Sequence, residues 1–214
     1  MRDPKLLAIL SQHVLKAAPS LLGMDLVKGE LRARIVEVEA YRGSEDPGSH
    51  AHRGLTPRNQ VMFGEPGHAY VYFTYGVHWC LNVVAEPEGQ TSGILIRAAK
   101  PLAGQAAMFS RRKKAQKEED LLSGPAKITE AFGITGENYG MDLLDPGSEI
   151  RLEWGEPTIH ILRSIRIGLA KGKGDHLDWR FVDGDALNWI SRSSSSIFSP
   201  YISDQKNKKS SRYQ

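Results

Sequence analysis

The sequence is poor in cysteine and in long apolar runs, and neither acidic nor basic residues dominate it. Cys80 is the only cysteine among 214 residues, which excludes an internal disulfide and a zinc site built on several thiolates. The longest apolar run near the start, residues 6–10, is far shorter than the roughly 20 residues that span a bilayer. Asp3 and residues 11–13 flank it with polar groups, unlike a signal peptide. These absences predict a cytoplasmic protein with no membrane partner.

The net charge is only +3, from 28 basic and 25 acidic residues. This balance permits a phosphate-bearing partner without requiring one. Basic residues do cluster at residues 111–114, again at Lys117, and at positions between 206 and 212. Such runs are most often solvated faces, so charge alone leaves nucleic-acid binding open.

Short β-type runs and helical stretches alternate without the regular rhythm of βαβ units. The expected strands are residues 35–41, 69–74, 78–85, 93–98, 150–154 and 158–167. The expected helices are residues 4–17, 104–122 and 125–132. This pattern predicts one α+β domain with a mostly antiparallel sheet, over residues 1–190. The remaining residues, 191–214, are rich in serine and lysine and are expected to form a disordered tail.

A long Gly-, Pro- and His-rich loop, residues 42–68, follows the first strand, and loops of this length usually carry function. Strand alternation puts Ile35, Glu37, Glu39 and Tyr41 on one face. This face could be a wet outer surface. However, Tyr41 leads directly into the loop, so the strand end could also form the rim of a pocket. There a carboxylate could orient and deprotonate a water molecule.

Two strands meet at Tyr75-Gly76, which predicts a β-hairpin with Tyr75 at its tip. A tyrosine at an exposed tip contributes little to a fold, but it could insert into a stack of nucleic-acid bases. Core packing is the alternative for aromatic residues in strands, and we expect it for Phe73 and Trp79.

Asn82 and Arg97 interrupt strands that are otherwise apolar. A buried polar group without a partner costs about 1–3 kcal/mol. Asn82 therefore either satisfies backbone groups or tests the hydrogen-bonding edge of a base. Arg97 requires a carboxylate or a phosphate partner.

Four short sequence blocks occur in series along the chain. They are Glu39-Ala40-Tyr41, Pro57-Arg58-Asn59, Tyr70-Val71-Tyr72 and Ser123-Gly124-Pro125-Ala126-Lys127. Any one block is weak evidence, but together they resemble the alkyladenine (3-methyladenine) DNA glycosylases of the mammalian type. The resemblance extends over about residues 12–170, and the chain has the length of a bacterial member.

The resemblance implies roles for individual residues. Glu39 matches the general base, and Arg97 matches the arginine that helps to hold the attacking water and the target backbone. The residues that match the sandwich around a flipped base are Tyr41, His50 and Tyr72. Asn82 matches the residue that excludes guanine, and Tyr75 matches the intercalating wedge. The residues that match DNA-contacting elements are Met62, Ser123, Gly124 and Lys127.

The resemblance also implies a fold and a reaction. The fold is an open-barrel-like curved sheet, similar to the C-terminal domain of formyltransferases, with surrounding helices and a protruding hairpin. The reaction is base-excision repair on double-stranded DNA containing damaged purines. It leaves an abasic site without strand cleavage. The implied substrates are 3-methyladenine and 7-methylguanine, with hypoxanthine and ethenoadenine as further candidates.

Neither a cofactor nor a metal is expected, although His50-Ala51-His52 with Asp46 and His68 nearby could suggest a metal site. We expect a monomer, because one protein engages one flipped base, and a nucleoid association if the source is bacterial.

Two segments depart from the family pattern. The connection over residues 85–92 is longer, and residues 168–175 diverge in a stretch that shapes the base pocket. Three other interpretations of the sequence compete with the glycosylase. They are a catalytically silent lesion binder, an RNA- or nucleoside-directed hydrolase, and a tRNA-binding module. Glu39 argues against the first and the third, and Tyr75 argues against the second.

Overall fold

The computed structural model describes residues 1–192 and 197–202, and an antiparallel sheet organises them. Within these residues the strands are β1 (Asp25–Lys28), β2 (Leu31–Arg42), β3 (Ala69–Thr74), β4 (His78–Val84), β5 (Ser92–Ala103), β6 (Ile150–Glu153), β7 (Ile161–Ser164), β8 (Arg180–Asp183) and β9 (Ser199–Pro200). The main path runs β3-β4-β5-β2-β8-β7-β9, and β1 pairs with both β2 and β6. The path does not close on itself. The predicted α+β class with an open, mostly antiparallel sheet is therefore confirmed.

The two longest strands, β2 and β5, pair with an irregular register. Glu37 lies opposite Ala98, whereas Val38 lies opposite Ile96, so the ladder skips Arg97 between them. A second irregularity lies between Ile35 and Glu37. Such bulges bend a strand and re-aim a side chain.

The irregularity before Glu37 corrects one sequence prediction. Ile35 is fully buried in the main apolar core together with Val38 and Ala40. It was expected on the face of Glu37 and Glu39, and this expectation is wrong. Strict alternation does not survive a bulge, because the extra residue inverts the faces on one side of it.

The helices that cover the apolar face are shorter than the sequence indicated. They are α1 (Pro4–Leu10), α2 (Val14–Ser20), α3 (Gln105–Arg111), α4 (Glu118–Leu121) and α5 (Pro125–Phe132). A single helix over residues 4–17 is wrong, because α2 starts afresh at His13, whose Nδ1 accepts a hydrogen bond from the Leu15 amide at 3.2 Å. A single helix over residues 104–122 is also wrong. Residues 112–117 are mostly charged and offer few apolar side chains to bury.

The main core lies between these helices and one face of the sheet. Leu10, Leu21, Ile96 and Phe132 are among its fully buried side chains. Burial of such a side chain stabilises the fold by about 1.5–3 kcal/mol. None of the helices in the described part of the chain is long and apolar enough to cross a membrane.

The predicted tail lies partly outside the described residues, at positions 193–196 and 203–214. Within residues 197–202, β9 pairs with β7, and the Tyr201 amide donates to the Ile161 carbonyl at 2.9 Å. The division of the chain at residue 190 stays a prediction.

Candidate active site

A cavity of about 310 Å³ opens on the face of the sheet opposite the main core. The long loop after β2 folds over this face, and a smaller apolar cluster around Tyr70 lies beneath it. The sequence-predicted residues that line the cavity are Tyr41, His50, Met62, Tyr72, Tyr75, Asn82 and Arg97. A larger cavity of about 650 Å³ lies beside α2 and contains none of the predicted site residues.

Glu39 lies fully buried behind the cavity lining and accepts three hydrogen bonds. The Ile167 amide donates to Oε1 at 2.7 Å, and the Tyr41 hydroxyl donates to Oε2 at 2.8 Å. Arg97 Nη1 donates to the same Oε2 at 3.3 Å. An ionised carboxylate has about four acceptor positions. The arrangement therefore fixes the orientation of Glu39 and leaves one acceptor position without a partner among the described residues.

Glu37, two residues earlier on β2, is equally buried and was not predicted as a site residue. Its Oε1 accepts a hydrogen bond from Arg180 Nε at 2.6 Å and lies 3.3 Å from Arg97 Nε. Its Oε2 accepts from the Ser191 amide at 2.6 Å. Alternation along the strand placed Glu37 on the same face as Glu39, and this was the sequence signal that could have identified Glu37 as a site residue. We call Glu37, Glu39, Arg97 and Arg180 the carboxylate cluster.

Arg166 joins the two loops that wall the cavity, and it too was missed from the sequence. Its Nη1 and Nη2 donate to the two carboxylate oxygens of Asp46 at 2.6 and 2.7 Å, and both side chains are fully buried. The guanidinium also donates to the carbonyls of Ala40 and Gly174 and lies 4.5 Å over the Tyr41 ring. Asp46 and Arg166 thereby fix the loop after β2, the segment before β8, and one aromatic wall.

Aromatic rings form the other wall. His50 Nδ1 lies 2.9 Å from the Tyr70 hydroxyl, and the His50 ring meets the Tyr72 ring edge-on at 4.6 Å. His50 is at the exposed rim, but enclosure of its imidazole, together with the positive charge of Arg58, lowers its pKa to about 4. His50 is therefore uncharged at neutral pH.

Two tyrosines of the cavity, Tyr41 and Tyr72, stay protonated. Burial, followed by the neighbouring Glu39 carboxylate, raises the pKa of Tyr41 well above its ordinary value. Burial likewise raises the pKa of Tyr72. The Tyr41 hydroxyl thus remains a hydrogen-bond donor to Glu39 at neutral pH.

Asn82 and Met62 lie deep in the cavity wall, and both are almost fully buried. The Asn82 amide nitrogen donates to the Tyr70 carbonyl at 3.2 Å, so Asn82 satisfies a backbone group and lines the cavity at once. Met62 packs in the apolar cluster with Ala51 and Val84. It faces the cavity rather than the outer surface.

The hairpin tip, residues 74–77, projects beyond the sheet. Tyr75 is 86% exposed and has a φ of 52°, followed by Gly76 with a φ of 68°. A left-handed conformation costs a non-glycine residue about 1–2 kcal/mol. Beside the tip, Phe73 is half exposed and packs on Trp79 at 4.8 Å. The expectation that Phe73 belongs to the core is wrong.

The start of α5 lies at the mouth of the cavity, where Pro125 contributes to the lining. Lys127 Nζ donates to Ser123 Oγ at 2.9 Å, and Gly124 caps the helix. On the other side of α5, the basic residues 111–114 line a groove together with Val77 of the hairpin tip and the first two residues of β4, His78 and Trp79. Lys113 and Lys114 are exposed there.

The histidines of the long loop point to different partners. His50 contacts Tyr70, whereas His52 Nδ1 lies 2.8 Å from the Ser44 carbonyl. The residues that the structure describes contain no group of three His, Cys, Asp or Glu side chains placed to bind a metal ion. Burial raises the pKa of the Cys80 thiol, which disfavours the reactive thiolate.

Comparison with known proteins decides the family. The model of the methylpurine-DNA glycosylase family matches residues 8–186. The chain belongs to this family. The predicted resemblance is confirmed, and this family member is a DNA glycosylase, a hydrolase of base-excision repair.

Relatives in several organisms support the assignment. A protein of Burkholderia lata named "Putative 3-methyladenine DNA glycosylase" is 47% identical over 167 residues, or 77% of this chain and 80% of the relative. A protein of the same name in Methanocella arvoryzae is 44% identical over 174 residues, or 79% and 86% of the two chains. A third, from Streptomyces avermitilis, is 41% identical over 192 residues, or 86% and 90%.

Proposed function

We propose that this glycosylase flips an alkylated or deaminated purine out of duplex DNA and hydrolyses its N-glycosidic bond with a water molecule activated by Glu39. The observation that carries the proposal is the placement of Glu39. Its buried carboxylate lies directly behind a cavity with aromatic walls and is held by Tyr41, Arg97 and the Ile167 amide.

The carboxylate suits the charge that develops in this reaction. As the bond between C1′ and the purine nitrogen breaks, its electron pair leaves with the base, and positive charge grows on the sugar. Ionised Glu39 stabilises that charge and accepts the proton of the water that attacks C1′. The products are the free base and an abasic site, and the strand stays intact.

The aromatic walls suit a methylated purine, which carries positive charge. Cations are attracted to electron-rich ring faces, and the uncharged His50 adds no repulsion. Stacking on Tyr41 and Tyr72 is worth about 1–3 kcal/mol per base, which helps to offset the cost of extrusion. We propose 3-methyladenine and 7-methylguanine as substrates, with hypoxanthine and ethenoadenine as further candidates. The names of the relatives support 3-methyladenine as a substrate.

Two residues select and expose the base. Asn82, deep in the cavity, excludes guanine by a clash with its exocyclic amine. Tyr75 fills the gap left in the base stack by the flipped nucleotide, and its exposed position at the hairpin tip supports this role.

The duplex lies across the cavity mouth in this proposal. Ser123, Gly124 and Lys127 contact a phosphate at the start of α5, where backbone amides and the helix dipole favour an anion. Met62 contacts the flipped nucleotide inside the cavity. Lys113 and Lys114 extend the positive surface on the far side of the hairpin tip. One cavity takes one base, so we propose a monomer that needs neither metal nor cofactor and that, if its source is bacterial, acts on the nucleoid.

Release of free bases from methylated DNA and from a defined hypoxanthine duplex tests the proposal. The wild type should release 3-methyladenine, and Glu39→Gln should lower the single-turnover rate by about 10²- to 10⁴-fold while retaining affinity for lesion DNA. Glu45→Gln is the control, because Glu45 is an exposed carboxylate of the neighbouring loop. Turnover by Glu39→Gln at the wild-type rate would remove the general-base role, and no release by the wild type would contradict the function itself.

A further inference from the structure

Glu37 is a fully buried carboxylate that the proposed reaction does not use directly. Burial of an ionised carboxylate is costly unless it is paired and hydrogen-bonded. Each of its oxygens accepts a hydrogen bond at 2.6 Å, one from Arg180 Nε and one from the Ser191 amide. Glu37 is therefore held in place by β8 and by the segment that follows it.

Arg97 is shared between the two carboxylates. Its Nη1 lies 3.3 Å from Glu39 Oε2, and its Nε lies 3.3 Å from Glu37 Oε1. The guanidinium is a planar, rigid group, so attraction at two of its nitrogens defines the orientation of the whole group. The skipped position of Arg97 in the β2–β5 ladder directs its side chain to this face of the sheet.

The carboxylate cluster balances two negative and two positive charges among buried side chains. The groups alternate in the order Glu39, Arg97, Glu37, Arg180. Without Glu37, Arg97 would have Glu39 as its one carboxylate partner within the cluster. It would then move onto Glu39 and occupy the position that a water molecule needs.

We propose that Glu37 is a positioning residue: it draws Arg97 back from Glu39 and so keeps the Glu39 carboxylate open to the attacking water. The inference rests on the proposed function, because it assumes that Glu39 is the general base. It differs from a purely structural role, since it assigns Glu37 an effect on the chemical step and on its dependence on pH.

The effect on pH follows from the charges that face Glu39. They come from Glu37 on β2, Arg97 on β5, Arg180 on β8, and Arg166 before β8, whose charge is paired with Asp46, whereas Tyr41 is neutral and donates a hydrogen bond. Glu37→Gln changes the cluster from neutral to a net charge of +1. The added positive charge favours the negatively charged form of the remaining carboxylate, so the acid limb of the rate profile should move to lower pH.

The test measures single-turnover excision of hypoxanthine from a defined duplex, from pH 4.5 to 8, together with the Kd for the same lesion duplex. Glu37→Gln should lower the rate at pH 7 by about 10- to 100-fold, because small displacements of catalytic groups have effects of this size. The Kd should change by less than about threefold, since Glu37 does not line the cavity. If the wild type does not release hypoxanthine, 3-methyladenine in methylated DNA replaces it as the substrate.

Asp25→Asn is a matched control. Asp25 is also a buried carboxylate between two arginines, Arg32 and Arg34, but it lies on β1, away from the cavity. Its replacement should lower the stability without moving the acid limb. Glu37→Asp is the conservative variant: it keeps the charge, so the acid limb should stay in place while the rate falls by at least about fivefold.

The outcomes distinguish failure of the positioning role of Glu37 from failure of the proposed function. An unchanged rate and acid limb in Glu37→Gln would overturn the positioning role, and so would a shift of equal size in Asp25→Asn. If Glu37→Gln does not fold, Glu37→Asp carries the test, and a wild-type rate in that variant would overturn the role. If the wild type excises neither substrate, the proposed function fails instead.

Discussion

The carboxylate cluster and the hairpin tip differ in almost every physical respect. In the cluster, the side chains are buried and each carboxylate is bonded to groups from several strands and loops. At the tip, Tyr75 is exposed, its backbone is left-handed, and the turn is closed by the amide of Val77 donating to the Thr74 carbonyl. The carboxylates are thus fixed by partners within the protein, whereas the exposed ring of Tyr75 remains accessible to a partner outside it.

This difference matches the tasks that we propose for the two regions. Electrostatic stabilisation is effective when dipoles and charges need no rearrangement during the reaction. A residue that enters a base stack must instead be accessible, and strained backbone is often found at such sites. The comparison predicts that substitutions in and around the cluster change stability or chemistry, whereas substitutions at the tip change DNA binding.

The largest effect on stability should come from the buried pair beside the cluster. Asp46→Asn leaves Arg166 buried without its carboxylate and should lower the free energy of unfolding by about 3–5 kcal/mol. Glu45→Gln, at the neighbouring exposed position, should change it by less than about 1 kcal/mol. Urea unfolding of both variants measures the difference, and equal values would show that the pair does not stabilise the loops.

The tip should show the opposite behaviour. Tyr75→Gly removes the left-handed strain and should leave the stability unchanged or slightly higher. It should also weaken binding to a lesion duplex by about 5- to 150-fold, because a stacked aromatic ring is worth about 1–3 kcal/mol. Val77→Ala is the control, since Val77 is an exposed residue of the same turn. Wild-type affinity in Tyr75→Gly would reject the wedge.

The groove beside the hairpin tip should make a smaller, salt-dependent contribution to the affinity for DNA. Replacement of Lys113 and Lys114 by alanine should reduce the slope of log K against log salt concentration by up to about 2, since each phosphate contact contributes about 0.9. The double variant of Lys5 and Lys16, on α1 and α2, is the control. A slope equal to that of the wild type would remove this surface from the DNA interface.

The smallest effect concerns His50, which lies between the two regions. Its pKa is about 4 in the folded state against an ordinary value of 6.5, so between these values the unfolded chain takes up a proton that the folded chain does not. Stability should therefore fall as the pH decreases from 6.5 towards 4. Between pH 7 and pH 5, the Tm of His50→Gln should therefore fall by about 2 °C less than that of the wild type. If His52→Gln showed the same smaller fall in Tm, the effect would belong to the loop and not to His50.

The sequence predicted most of the surface of the site. Period-two alternation was enough to place Glu37, Glu39 and Tyr41 together, and Tyr75-Gly76 was enough to predict the hairpin tip. These features depend on local backbone geometry, which neighbouring residues determine. The sequence blocks that match the family supplied the expected roles of the individual site residues.

The parts that could not be predicted depend on distant residues. The two irregularities that place Ile35 in the core and redirect Arg97 arise from the pairing of β2 with β5. Arg166, which binds Asp46, and Arg180 and Ser191, which bind Glu37, lie more than 100 positions further along the chain than the carboxylates that they contact. No local period indicates which arginine will meet which carboxylate.

The hydrogen bonds that complete the carboxylate cluster also order events during synthesis. Glu39 and Ile167 are 128 positions apart, Glu37 and Arg180 are 143 apart, and Glu37 and Ser191 are 154 apart. Because the ribosome makes the N-terminal part first, Glu39 and the hairpin tip are translated long before these donors. A nascent chain therefore carries the hairpin tip, which we propose to contact DNA, before it carries the donors that hold Glu37 and Glu39 in place. The carboxylate cluster takes its final geometry only after residue 191 has been added and its amide has met Glu37 on β2.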